Sequence, residues 1–169
     1  MNSDLMNERI KGLIGHKLLT QEGKVLPVEK IAIRRYCESS GNLNPLYLDE
    51  EYASRERYGS IIAPPTFFSI PFRSCAGTFC PIPQGTENPH VAELMELLQL
   101  KRALDAGQET EFFAPIRLGD VLHYDKEIFN IAEKRIKVGP ALLVSARTVI
   151  TNQRGELVCI DVQEWFFFE

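Results

Sequence analysis

The first half of the chain shows helical spacing interrupted by turn residues. Apolar side chains recur at helical spacing from Val28 to Tyr36, and Gly41 stands where a helix-ending glycine is expected, so we predict a helix over 29–40. The predicted apolar stripe comprises Val28, Ile31, Ala32 and Tyr36. The preceding segment, 24–28, is typical of a short edge strand, and 49–57 of a short polar helix ended by Gly59.

The middle of the chain is proline-rich and apolar, and strand patterns follow it. We expect short elements over 60–89, with a buried helix at 66–70 that continues past Pro71 with a kink, and then a helix over 91–100. The predicted strands span 109–113, 121–131, 141–150 and 156–168. The turn at 152–155 joins the last two strands in a hairpin, and helices followed by antiparallel strands indicate an α+β fold.

Length and charge narrow the function classes. The 169 residues correspond to one domain, and the net charge of −4, with no basic cluster longer than Arg34-Arg35, argues against a nucleic-acid partner. No apolar run approaches the roughly 18 to 20 residues that span a bilayer, and the N-terminal residues do not have the pattern of a signal peptide. We therefore expect no membrane partner and a cytoplasmic location.

Cysteines and histidines are few and scattered. Cys37, Cys75, Cys80 and Cys159 form no metal-ligand or disulfide spacing, so we expect buried, reduced thiols and neither a metal nor a cofactor. The three histidines are His16, His90 and His123. We predict that His90, next to Pro89 at a helix start, is a surface residue.

Four ordered segments carry a family resemblance. They are YCESSGNLNPLYLD at 36–49, GSIIAPPTF at 59–67, RALDAGQE at 102–109 and PIRLGD at 115–120. The first resembles the hydratase motif of the MaoC-like (R)-specific enoyl-CoA hydratases, and the set is closest to the N-terminal dehydratase half of that family. The resemblance covers most of 10–160. It implies a single hot-dog domain over 1–169, an antiparallel sheet wrapped around a central helix, which pairs with a second hot-dog unit.

The chain departs from the motif where the family does its chemistry. Asn42 stands at the position of the family's catalytic Asp, and Tyr47 at that of its His. An amide takes up no proton at neutral pH, and a phenol with a reference pKa near 10 is poorly matched to proton transfer at pH 7. Pro64 and Pro65 replace the family's oxyanion-hole His-Gly, and proline has no N–H to donate.

The resemblance therefore implies a substrate-binding, non-catalytic subunit of an (R)-specific enoyl-CoA hydratase or 3-hydroxyacyl-thioester dehydratase in fatty acid metabolism. Its partners would be an acyl-CoA or acyl-carrier thioester and a second hot-dog subunit with an intact Asp/His motif. The implied substrate-binding residues are Asn42, Asn44, Tyr47, Pro64, Pro65 and Phe67.

Other interpretations stay open at this point. The two asparagines could simply form a turn, and Phe67, like Tyr52, Tyr58 and Phe68, could belong to the core rather than to an acyl tunnel. The chain could instead be a non-enzymatic homodimeric acyl-CoA-binding protein, or a homodimer using Tyr47 with Asp105. A hot-dog thioesterase is disfavoured because 57–86 contains no Asp, Glu or His.

Overall fold

The computed structural model describes residues 5–18, 27–69 and 89–169. The helices are α1 (Glu8–Lys11), α2 (Lys30–Ser40), α3 (Pro45–Leu48), α4 (Glu50–Arg55) and α5 (Pro89–Leu98), with a 3-10 helix over Pro65–Phe68. The strands are β1 (Arg102–Phe112), β2 (Leu122–Ile136), β3 (Gly139–Asn152) and β4 (Leu157–Phe168). Helices followed by strands confirm the predicted α+β class.

The four strands form one antiparallel sheet in the order β1-β4-β3-β2. The predicted hairpin between β3 and β4 is confirmed, and Gly155 adopts the positive φ of 75° that its turn requires. The predicted start of the first strand at Glu109 is wrong, because β1 begins at Arg102. Nearly every β1 residue is exposed at the sheet edge. The first half of the strand therefore needs no alternation of apolar and polar residues, and without that pattern the sequence did not indicate a strand there.

At the opposite edge of the sheet, the N-terminal segment pairs with residues 126–128 of β2. The N–H of Gly15 donates to the carbonyl of Ile128 at 2.8 Å, and the N–H of Leu18 donates to the carbonyl of Lys126 at 2.9 Å. Residues 24–26 of the strand predicted over 24–28 lie outside the described residues. Val28 exchanges backbone hydrogen bonds with the Gly119–Asp120 turn, without forming a regular strand.

Helix α2 confirms the predicted element and most of its predicted apolar stripe, because Val28 is buried and Ala32 and Tyr36 are partly buried against the core. Gly41 ends the helix with φ of 68°, as predicted. Ile31, expected in the buried stripe, is 50% exposed, whereas Ile33 and Cys37 are completely buried. Ile33 and Cys37, spaced i, i+4, therefore share the core face with the predicted stripe, and Ile31 is the one predicted position that faces away.

The remaining helices differ from prediction in length and type. Helix α4 ends at Arg55 rather than Arg57, with Asp49 as its N-cap, and Pro45 is the first residue of the short helix α3. The helix predicted over 66–70 is a 3-10 helix over Pro65–Phe68, and its predicted continuation past Pro71 lies outside the described residues. Among the described residues, no helix has the length and apolar content needed to cross a membrane.

Two apolar clusters pack on the inner face of the sheet. The first includes Ile33, Cys37, Phe67, Phe68, Ile150 and Cys159, and the second includes Leu94, Leu98, Ile128, Val144, Trp165 and Phe167. Between them runs a polar row of paired residues on neighbouring strands, namely Lys126, Thr148 and Asp161. All three are buried. The amino group of Lys126 donates to Gln163 Oε1 at 2.8 Å. The Asp161 carboxylate accepts hydrogen bonds from Gln108 and Thr110. This hydrogen-bonded polar row separates the two apolar clusters.

Candidate functional site

The turn after α2 holds the two asparagines of the predicted site. Asn42 Oδ1 accepts the N–H of Asn44 at 3.3 Å, and Asn44 Oδ1 accepts the N–H of Leu46 at 3.0 Å. Asn44 is thereby the N-cap of α3, whose first residue is Pro45. Both side-chain oxygens hold the turn, which is the simpler of the two interpretations of these residues. Within the described part of the chain, the Asn42 amide nitrogen donates no hydrogen bond.

Tyr47, at the family's histidine position, lies on α3 and is half-buried against the first apolar cluster. Burial raises the pKa of its phenol above 10, and the nearby Cys37 and Tyr58 raise it further. A phenol with a raised pKa stays protonated at neutral pH, so it can donate a hydrogen bond but cannot serve as a general base.

The two prolines open the 3-10 helix. Pro64 is buried and Pro65 is exposed. The carbonyl of Pro64 accepts the N–H of Phe67 at 2.9 Å, and the preceding residue, Ala63, donates its N–H to the carbonyl of Ile116 at 2.8 Å. The amide of Ala63 is therefore engaged, and neither proline has a donor, so no N–H is presented by residues 63–65 to an oxyanion.

Aromatic contacts hold α2 against the 3-10 helix. The Tyr36 hydroxyl lies 2.6 Å from Thr66 Oγ1, and the Tyr36 ring meets the Phe67 ring edge-on with centroids 5.6 Å apart. Phe67 is only 1% exposed, which favours its interpretation as a core residue. Phe67 thus belongs to the first apolar cluster and Tyr47 packs against it, whereas Asn44 and Pro65 are exposed.

The prediction that His90 is a surface residue is wrong. It lies in the first turn of α5, is 2% exposed, and has a pKa lowered to about 4 by burial and secondarily by the charge of Lys126. His90, Leu94 and Leu98 recur at i, i+4 and i+8, and this spacing could have placed the imidazole on the buried face. His16 and His123 are exposed on the N-terminal segment and β2.

The described cysteines are buried thiols, as predicted. Cys37 and Cys159 are free, and burial raises the pKa of each, that of Cys159 to about 12. Neutral thiols are poor nucleophiles. Cys75 and Cys80 lie outside the described residues. Across residues 5–18, 27–69 and 89–169, no group of three His, Cys, Asp or Glu side chains is placed to hold a metal ion.

Comparison with known proteins supplies the family. Residues 12–161 match the family described as "FAS1-like, dehydratase domain region". The chain is 25% identical, over 98% of its length, to a probable enoyl-CoA hydratase alpha subunit from Thermomonospora curvata. It spans about half of that relative, 52% of its length.

Solved structures supply the fold. The ChsH1–ChsH2 complex from Mycobacterium tuberculosis contains a chain that superposes with a TM-score of 0.69 at 18% identity, covering 90% of this chain and 82% of that one. A MaoC-like dehydratase from Rhodospirillum rubrum superposes with a TM-score of 0.63 at 24% identity, covering 92% of each chain. The chain belongs to the FAS1-like dehydratase family and has the hot-dog fold of the MaoC-like dehydratases.

Proposed function

We propose that this chain, as a single hot-dog unit, is the substrate-binding, non-catalytic subunit of a heteromeric (R)-specific enoyl-CoA hydratase or 3-hydroxyacyl-thioester dehydratase. The observation that carries the proposal is the environment of Tyr47. The family's histidine position holds a phenol whose pKa is raised, first by burial and then by the nearby Cys37 and Tyr58, so it stays protonated at pH 7.

The remaining chemistry of the site agrees with this assignment. Adding water across an enoyl thioester requires a base for the water, an acid for the α-carbon and a donor for the developing enolate oxygen. Asn42 offers an amide whose oxygen already holds the turn, and Pro64 and Pro65 offer no N–H. All three requirements would therefore be met by another subunit.

What this site retains is the capacity to bind. The Asn42 amide nitrogen and the Tyr47 hydroxyl are donors suited to a carbonyl or amide of an acyl thioester, and Asn44 and Pro65 are exposed to solvent. Pro64 and Phe67 are buried, so their role would be to support the substrate-contacting residues from the core rather than to touch the substrate. CoA substrates and carrier-protein substrates both contain an acyl thioester, and this is the group that the site would recognise.

The relatives support a second subunit. The Thermomonospora curvata relative is described as an alpha subunit, and a chain of the ChsH1–ChsH2 complex shares this fold. A single hot-dog unit that has lost its proton-transfer groups is best completed by a hot-dog partner in which the Asp and His are intact.

The test compares the chain alone with the chain co-expressed with a hot-dog partner whose Asp-x-Asn-Pro-x-His motif is intact, such as one encoded next to it. Hydration of crotonyl-CoA is followed by loss of the enoyl-thioester absorbance. We expect no hydration by the chain alone and hydration by the complex, with a higher KM for the partner assayed alone. Turnover by the isolated chain at rates typical of enzymes, about 1 per second or faster, would show that it carries its own acid and base.

A further inference from the structure

A row of three buried side chains crosses the inner face of the sheet between the two apolar clusters. Lys126 of β2 pairs with Thr148 of β3, and Thr148 pairs with Asp161 of β4. Directly paired residues of an antiparallel sheet point to the same face, so an ammonium, a hydroxyl and a carboxylate stand in line. Each of the three residues is at most 5% exposed. Polar groups buried to this degree require hydrogen-bond partners.

The described residues use only part of the hydrogen-bonding capacity of this row. Lys126 uses one of the three N–H groups of its ammonium, donating to Gln163 Oε1 at 2.8 Å. The Asp161 carboxylate accepts two hydrogen bonds from β1 side chains, both at Oδ1. Among residues 5–18, 27–69 and 89–169, none forms a hydrogen bond with Asp161 Oδ2 or with the Thr148 hydroxyl. Donors of Lys126 and Thr148 and an acceptor of Asp161 are thus left for a further polar group.

The charges of the row favour a neutral group that is both a donor and an acceptor. Burial lowers the pKa of Lys126 to about 8, against the opposing effect of the charges of Asp161 and Glu93, so its amino group stays mostly protonated at pH 7. A carboxylate or an ammonium bound here would be attracted by one end of the row and repelled by the other. A hydroxyl can accept from Lys126 or Thr148 and donate to Asp161 Oδ2. An alkyl chain would exclude water from these polar atoms without replacing its hydrogen bonds.

The row lies next to the first apolar cluster, against which Tyr47 packs. Ile150 and Cys159 belong to that cluster. Thr148 and Asp161 stand two residues from them on the same strands, and therefore on the same face of the sheet. Two residues of a strand span about 7 Å. An acyl chain that starts from a thioester at Tyr47 and runs along the inner face would therefore pass the first cluster and then meet the row.

We propose that Lys126, Thr148 and Asp161 form a subsite for a hydroxyl group on the acyl chain of the thioester, so that this subunit selects a hydroxylated acyl chain over a plain alkyl chain. The inference rests on the proposed function, since it names the substrate class of the same site. A hydroxyl at the right distance from the thioester completes the hydrogen bonds of the row, whereas a methylene at that place leaves them unmade.

Isothermal titration calorimetry of the full chain with saturated acyl-CoA ligands tests this inference without turnover. The probes are hexanoyl-CoA, octanoyl-CoA, decanoyl-CoA and the ω-hydroxy form of each. We expect the hydroxyl to lower the Kd about tenfold at one of these chain lengths and to have little effect at the others, because the row is a fixed line across the sheet. Thr148→Val should reduce that gain to about twofold without weakening the plain alkyl ligands, and Thr148→Ser, which keeps the hydroxyl, should retain it.

The matched control is Thr151→Val, which removes a hydroxyl from the opposite face of the same strand and should leave the gain intact. The wild-type series needs no variant: equal binding of plain and hydroxylated ligands at every length, or an equal gain at every length, overturns the inference. Equal losses in T148V and T151V also overturn it. These outcomes leave the proposed function standing, whereas failure of all six ligands to bind refutes the proposed substrate-binding function together with the inference.

Discussion

The hydroxyl groups of Tyr36 and Thr66 lie 2.6 Å apart and join α2 to the 3-10 helix that follows Pro64 and Pro65. The Tyr36 ring also packs edge-on against Phe67, so one side chain fixes the 3-10 helix by a polar and an aromatic contact. The motif after α2 and the proline segment, separated by some 20 residues in the chain, are thereby held on one side of the first apolar cluster.

Removing the Tyr36 hydroxyl should loosen this connection. We expect Tyr36→Phe to lower the free energy of unfolding by about 1 kcal/mol, because one hydrogen bond is lost while the aromatic contact stays. Urea denaturation of Y36F, T66V and the double variant forms a double-mutant cycle. A coupling energy near zero would show that the two hydroxyls do not stabilise the fold through each other.

Gly41 ends α2 in a left-handed conformation, and its replacement should carry a backbone cost. A Cβ at Gly41 would meet nothing within 4 Å, so the destabilisation of Gly41→Ala, about 1 kcal/mol, would come from the φ of 68° rather than from a clash. Gly107 is the matched control, since a Cβ there also meets nothing within 4 Å and no such φ is required. Equal effects of G41A and G107A in thermal or urea unfolding would contradict this account.

Burial of His90 makes stability depend on pH. Its pKa is lowered from 6.5 to about 4, so between these values the unfolded chain binds a proton that the folded chain does not. Above pH 6.5 His90 therefore does not lower the free energy of unfolding. As the pH falls from 6.5 to 4 the free energy of unfolding declines, and below pH 4 this group causes no further loss. Protonation of this group lowers the free energy of unfolding by on the order of 3 kcal/mol.

The measurement compares the pH dependence of unfolding for wild-type and His90→Gln. We expect the wild-type curve to fall more steeply between pH 6.5 and 4 than that of H90Q, whatever the absolute stability of the variant. His123→Gln, at an exposed position of β2, controls for loss of a surface imidazole. Parallel curves for wild-type and H90Q would refute the burial argument.

Tyr47 should be dispensable for turnover in the assembled enzyme. If it contacts substrate without transferring protons, Tyr47→Phe in the co-expressed complex should raise KM and leave kcat within about twofold. A general acid or base at this position would instead contribute about 100-fold to 10,000-fold to the rate. Steady-state kinetics of the Y47F complex therefore separates binding from catalysis, and a collapse of kcat would assign Tyr47 to the chemistry.

Restoring the family's proton-transfer residues should not restore activity to the isolated chain. The variant N42D/Y47H regains an Asp and a His, but Pro64 and Pro65 still provide no N–H for the enolate oxygen. We expect crotonyl-CoA hydration by this variant alone to stay at background. Full activity would show either that another N–H of the chain stabilises the enolate oxygen or that the reaction needs no such donor.

Local features of the sequence predicted much of the fold. The helix over 29–40, its end at Gly41 and the hairpin at Gly155 follow from nearest-neighbour chemistry, because helix periodicity, left-handed caps and tight turns are decided within a few residues. The chemical deficiency of the site was also readable, since Asn42, Tyr47 and the two prolines lack the required groups in any conformation.

Other features depended on contacts distant in the chain. The first half of β1 has no strand periodicity of its own and is a strand because β4 pairs with it. His90 is buried because α5 lies on the second cluster near Lys126, and the lowered pKa of its imidazole follows from that burial.

The sequence by itself therefore determined which groups this protein can and cannot offer to a thioester, because functional groups are carried by residue identity. Only the tertiary structure decided which groups are exposed, which are buried and which edge of the sheet is open, because burial and pairing depend on what packs against each residue. Glu109 and Glu111 are ordinary surface residues in the sequence, and only the pairing of β1 with β4 places them on the exposed edge strand of the sheet.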